Sequence, residues 1–141
     1  MFYVRIPGAN SFDANGLVVH NCGEQPLPPY GACLLGSVNL ARLVENPFTE
    51  NAALDLGALD RLTRVGVRLL DNVIDVSAFP LAAQEHEAKA KRRIGLGVTG
   101  LADALIMCRA RYGDTKAVRL AEEWMKTIQR AAYLASTDLA A

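Results

Sequence analysis

The stretch "LDRLTRVGVRLLDNVIDV", residues 59–76, constrains the fold more than any other part of the chain. Leu59, Leu62, Val65, Leu69, Val73 and Val76 recur at spacings of three and four, and Arg61, Arg64, Arg68, Asp71 and Asp75 fill much of the remainder. That spacing lays one apolar stripe along a helix, and the stripe is expected to be buried. Further helical patterns flank it. "VNLARLVE", from residue 38, reads as a short helix stopped at Asn46-Pro47. Pro80 interrupts the long helix, and "LAAQEHEAKAKRR" follows as a polar one whose basic end, "KAKRR" at 89–93, is solvated. "GVTGLADALIMCRAR" reads as a more buried helix, closed by Tyr112-Gly113-Asp114. The last helix starts at an Asp114 N-cap and carries Val118, Ala121, Met125, Ile128, Ala132 and Ala135 on one face. It runs into "ASTDLAA" with no stop signal, as a truncated piece would.

The first part of the chain has a different texture. "FYVRI" and "GLVVH" are β-like runs separated by Pro7, Gly8, Asn10, Asp13, Asn15 and Gly16, so two strands around turns are expected in residues 1–21. Twenty-one residues cannot bury a core alone and need a partner. Residues 22–36 read as loop, because Pro26, Pro28 and Pro29 exclude helix and favour an extended path. "YGACLL" is expected to include a short buried strand.

Composition narrows the function classes. The 15 basic and 15 acidic residues cancel, so nothing supports binding to a nucleic-acid backbone. No apolar run approaches a membrane span, and the start lacks the pattern of an export signal. Three cysteines without that signal fit a reducing cytoplasm. No CxxC pair or clustered ligand set points to a protein-bound metal. Gly95, Gly97 and Gly100 spell G-x-G-x-x-G, but "AKAKRRI" before them is no buried strand. Those glycines are read as packing residues at a helix entry. Cys108, in the apolar "LIMC", is read as a buried structural thiol, and His86 as a solvated residue.

Two chemistries meet at Cys22. An asparagine amide can attack its own backbone carbonyl and cleave the following peptide bond, with a neighbouring histidine moving the proton. A cysteine after that bond can accept an acyl group. His20, Asn21 and Cys22 have those three side chains in that order. The run "PGANSFDANGLVVHN" before Cys22 resembles the C-terminal end of an intein, matched at Phe12, Ala14, Asn15, Gly16, Leu17, Val18, Val19, His20, Asn21 and Cys22. The resemblance implies that His20 assists, Asn21 cyclises and Cys22 opens the downstream extein. Asn10 and Tyr3 depart from the family's usual histidine and acidic residue. The N-terminal splicing half is absent from this sequence, so an N-terminal intein half is the implied partner.

From Cys22 onward, "CGEQPLPPYGACLLGSVNLARLV", "RRIGLGVTGLADALI" and "AAYLASTDLA" resemble the large chain of ribonucleotide reductases. The match is most similar to the class that depends on adenosylcobalamin. A ribose 3′-hydrogen is held too firmly for ordinary acid–base removal, so that chemistry runs through a sulfur radical. The resemblance implies a thiyl radical on Cys22, generated from the cofactor. It implies Glu24 as general base for the 3′-hydroxyl and Cys33 as one of two thiols that reduce the product by becoming a disulfide. The partner thiol lies far upstream in the family. Leu34 stands where the family usually has asparagine.

The expected architecture is therefore α/β: residues 22–141 as part of a ten-stranded α/β barrel, mostly helical in this piece, carrying the active-site finger loop. Residues 1–21 form a short β segment from an intein. Expected partners are a ribonucleotide, the rest of the reductase chain and a thioredoxin-like reductant, with adenosylcobalamin bound mainly by chain beyond this piece. The piece alone is expected to be inactive. Two other readings stay open: half of a split intein whose extein is only cargo, and a helical interaction module without chemistry.

Overall fold

The computed structural model describes residues 11–14, 17–20 and 27–140. Near the N-terminus, β1 (Ser11–Ala14) and β2 (Leu17–His20) pair antiparallel, Ser11 opposite His20 and Ala14 opposite Leu17. "GLVVH" thus contributes a strand as expected and "FYVRI" lies outside the described residues, whereas β1 falls on "SFDA", within the stretch expected as turn. The strands flank Asn15-Gly16, a dipeptide favoured by two-residue hairpin connections.

The framework of the rest is a parallel pair, β3 (Leu34–Asn39) with β6 (Ile94–Thr99), in register from Leu34–Ile94 to Asn39–Thr99. Parallel strands need a long crossover, and α1 (Leu56–Val76) and α2 (Ala82–Lys91) supply it. Before α1, a 3-10 turn at Leu40–Leu43 leads into the small antiparallel pair β4 (Val44–Glu45) and β5 (Ala53–Leu54). After β6 come α3 (Leu101–Met107) and α4 (Thr115–Ala140). Asp55 accepts from Ala58 N at 2.8 Å and Asp114 from Ala117 N at 2.6 Å, so the expected Asp114 cap on the last helix is present.

Two regions depart from the expected helices. "VNLARLVE" is the end of β3, the 3-10 turn and β4 instead of one helix. Asn39 explains the break: it is extended, and its side chain accepts from Ala41 N at 3.1 Å, which starts a tight turn. "IGLGVT" is a strand, although glycine is a poor strand former. Its pairing with β3 overrides local preference, so Gly95 and Gly97 lie inside a strand and only Gly100 sits at a helix entry. A dinucleotide fingerprint places its glycines in the turn between strand and helix, and this arrangement is different.

Helix α1 buries Leu59, Thr63, Val67, Leu70 and Ile74, the row it turns toward α4 and the strands. Of the stripe expected from spacing, Leu59 is buried, whereas Leu62, Val65, Leu69 and Val76 are exposed. The helix is apolar over a wide arc, and two rows share the same period. Helix α4 repeats the lesson: Ile128 and Ala135 are buried as expected, but Ala117, Trp124 and Ala131 complete the row while Val118 and Met125 are exposed. Trp124, Leu40 and Leu59 lie among the largest fully buried side chains, with Leu105, Cys108 and Ile128 in the same cluster.

Glycines let the layers interlock. A Cβ at Gly36 of β3 would lie 3.3 Å from Leu70 of α1, and one at Gly66 of α1 would lie 3.2 Å from Leu96 of β6. Each layer therefore receives a leucine from the other. Gly100 has φ +67°, and a Cβ there would lie 2.6 Å from Asn39 Oδ1. Gly100→Ala is expected to destabilise the chain by about 1–3 kcal/mol, through a left-handed residue pressed against a capping oxygen. Urea unfolding of the two proteins measures it.

Candidate functional site

Strand alternation gives the β3–β6 pair two unlike faces. Leu34, Gly36 and Val38 of β3 turn toward the helices and are half-buried. Leu35, Ser37 and Asn39 turn the other way and are exposed, alongside Gly97 and Thr99 of β6. Among the described residues, no element packs on this second face as α1 packs on the first. The face is open.

Cys33, immediately before β3, belongs to the open face. Its Sγ lies 3.7 Å from the place a Cβ at Gly95 would occupy, and it is half-buried. The thiol donates a long hydrogen bond to Leu34 O at 3.9 Å. It borders an open groove of about 700 Å³ lined by Leu27, Leu35, Arg92, Arg93, Ile94 and Gly95. Pro28 O accepts from Gly31 N at 2.8 Å, which folds the approach to Cys33 into a turn. The other expected site residues are not described there: Asn21, Cys22 and Glu24 lie outside the described residues, and His20 is placed only as the last residue of β2.

Lys89 and Lys91 are exposed, as expected of a solvated basic end, but the two arginines at the groove are half-buried and held by carboxylates. Arg92 adopts φ 45° and closes α2, donating its backbone N–H to Ala88 O. Its guanidinium reaches Asp71 at 2.7 Å and Asp75 at 2.7 and 3.0 Å, with a further bond to Asp71 O at 3.0 Å. Arg93 pairs with Glu87 at 2.8 Å. Sequence reasoning missed this clamp, although Asp71 and Asp75 stand four apart and so share a helix face. The Arg92 bond holds the Asp75 carboxyl below its ordinary range, and the two aspartates push the guanidinium pKa up.

Cys108 is the opposite kind of thiol. It is buried in the core cluster, and burial pushes its pKa up, partly offset by the Lys116 charge. Lys116 Nζ donates to Cys108 O at 2.8 Å. His86 is exposed on α2. Among the described residues no group of three or more His, Cys, Asp or Glu is placed to hold a metal ion, and no helix is long and apolar enough to cross a membrane.

Residues 17–141 match the family described as "Ribonucleotide reductase, barrel domain". The chain belongs to the ribonucleotide reductase family. It is 43% identical over 135 residues to the "Vitamin B12-dependent ribonucleoside-diphosphate reductase" of Mycobacterium tuberculosis (strain ATCC 25618 / H37Rv), covering 96% of this chain and 18% of that protein. A protein of the same description from Thermoplasma acidophilum is 38% identical over 119 residues, 84% of this chain and 15% of its own length. The "Ribonucleoside-diphosphate reductase large subunit" of Danio rerio is 38% identical over 104 residues, 73% of this chain and 13% of its own. The chain thus spans less than a fifth of these curated relatives.

The clamp has a pH signature. A carboxyl with a depressed folded-state pKa stabilises the fold above its unfolded pKa, about 3.9, and that contribution is lost as pH falls through the folded value. Arg92→Met is expected to lower stability at pH 7. The difference from the unaltered chain should shrink below about pH 4, as Asp75 takes up its proton. Urea melts of both proteins at pH 7 and pH 3 measure this.

Proposed function

We propose that residues 22–141 are part of the catalytic barrel of a B12-dependent ribonucleoside-diphosphate reductase, and that residues 1–21 are the C-terminal end of an intein. The observation that carries the first reading is a half-buried thiol, Cys33, on the uncovered face of a helix-backed parallel strand pair in a chain of this family. Membership supports the reaction class, and the printed names of the relatives support a ribonucleoside diphosphate as substrate.

In this reading Cys22, as a thiyl radical, takes the ribose 3′-hydrogen and gives it back at the end of the cycle, while Glu24 takes the 3′-hydroxyl proton and the 2′-hydroxyl leaves as water with a proton from the reducing dithiol. The product radical then needs two electrons. Cys33 and a second thiol from elsewhere in the reductase supply them by forming a disulfide, which a thioredoxin-like dithiol reduces. The adenosylcobalamin is held mainly by other parts of the reductase. This piece alone turns over no nucleotide.

In the full-length reductase containing this sequence, Cys33→Ser removes half of the dithiol. Steady-state turnover with a dithiol reductant is expected to fall by roughly a hundredfold or more. Turnover at the unaltered rate would overturn the role of Cys33.

The intein reading rests on the residue pattern from Phe12 to Cys22, and the β1–β2 ribbon is compatible with it, while the barrel-domain match, which begins at residue 17, overlaps the end of this segment. Here His20 moves the proton, Asn21 closes a succinimide, and Cys22 first accepts the acyl group of the upstream segment. Cys22 then serves two chemistries in succession, splicing before radical chemistry. Mixed with an N-terminal intein half, the chain is expected to lose residues 1–21, read by intact mass. Asn21→Ala should abolish that loss, and an unchanged mass for the unaltered chain would defeat the reading.

A further inference from the structure

We propose that Gly95 is a positioning residue for the Cys33 thiol, a role that rests on reading Cys33 as a redox thiol. Parallel register sets Gly95 opposite Leu35, and both lie on the open face with Cys33. A Cβ at Gly95 would lie 2.7 Å from Leu35 Cδ2 and 3.7 Å from Cys33 Sγ. Leu35 is 73% exposed, yet its branch end occupies the space of the side chain that Gly95 lacks. The sulfur and the leucine thus border one vacated position. Leu35 leans across β6 because nothing stands at residue 95, and the approach to the sulfur stays open for the same reason.

Backbone freedom does not account for this glycine. Among the described residues, the glycines with positive φ are Gly100 and Gly113, so alanine is conformationally allowed at 95. Gly→Ala at such a position generally strengthens the backbone by narrowing the unfolded ensemble. A loss on substitution therefore reports volume. The neighbouring Gly97 serves as an internal control. It lies in the same strand on the same face, but a Cβ there would meet Ser37 Oγ at 3.4 Å, an ordinary contact.

A methyl at 95 displaces Leu35 back over its own strand and adds bulk beside the sulfur. The thiol then becomes harder to reach by an alkylating agent, and by the partner thiol with which it forms a disulfide. Substrate contact is not involved, so the effect falls on turnover rather than on substrate affinity.

The test compares the chain as it stands with Gly95→Ala, Gly97→Ala and Gly95→Ala/Leu35→Ala. Iodoacetamide modification of Cys33 is followed by site-resolved mass spectrometry. Gly95→Ala is expected to slow modification several-fold and Gly97→Ala to leave it unchanged. Adding Leu35→Ala should restore most of the rate. In the full-length reductase, Gly95→Ala is expected to lower kcat several-fold with KM unchanged. The proposal is overturned if Gly95→Ala alkylates at the original rate, if Gly97→Ala slows it equally, or if Leu35→Ala fails to rescue. A rise in KM with kcat unchanged also overturns it. Absence of nucleotide reduction by the unaltered full-length protein would instead refute the functional reading, and the alkylation rates would still decide the place of Gly95.

Discussion

Strand β3 finds strand β6 across a long intervening stretch, residue 34 meeting residue 94, and the other elements take their places from that pairing. Two parallel strands gain little from each other alone, because their hydrogen bonds are shared across only one edge and both faces need cover. The crossover helices cover one face. Contact there is close because Gly36 admits Leu70 and Gly66 admits Leu96, so the helix and the strands each supply one knob and one hole. Dispersion contacts of this kind are individually small and lose roughly a quarter to a half of their strength over about 0.5–1 Å of extra separation, which makes the glycines part of the packing and not gaps in it.

The uncovered side follows from the same arrangement. With α1 on one face, residues of opposite parity in β3 and β6 have no helix above them among the described residues, and these include Leu35, Gly95 and the nearby Cys33. A second uncovered surface lies on α1, where Leu62, Val65 and Leu69 border a groove of about 350 Å³ beside β3. Contiguous exposed apolar surface of this kind normally marks an interface. In the reading proposed above, the neighbouring strands and helices of a much longer reductase chain are its natural cover.

Some of this was legible in the residues. The periodicity of 59–76 and of the last segment located α1 and α4, Asp114 announced its own cap, and "LIMC" announced a buried cysteine. The choice of buried row was not legible. On α1 both Leu62-Val65-Leu69 and Thr63-Val67-Leu70 fit a helical period, and only the positions of α4 and the strands decide between them. The β6 strand was hidden for a similar reason. "IGLGVT" has the composition of a loop or helix entry, and its strand character comes from a partner sixty residues away. The Arg92 clamp needed the same long-range fact, since the arginine and its two aspartates belong to different helical segments.

What the sequence determined by itself is chemical: the family resemblance, and the candidate residues for the splicing, radical and dithiol chemistry proposed above. Those properties reside in side-chain identity and short spacing, which the folded state does not alter. What only the tertiary structure decided is spatial. It set which helix rows are buried, that Gly95 lies beside Cys33, and that this thiol stands on the open face of the strand pair. Side-chain surroundings are made by residues distant in the chain, and no local pattern encodes which of two equivalent faces a neighbour will cover.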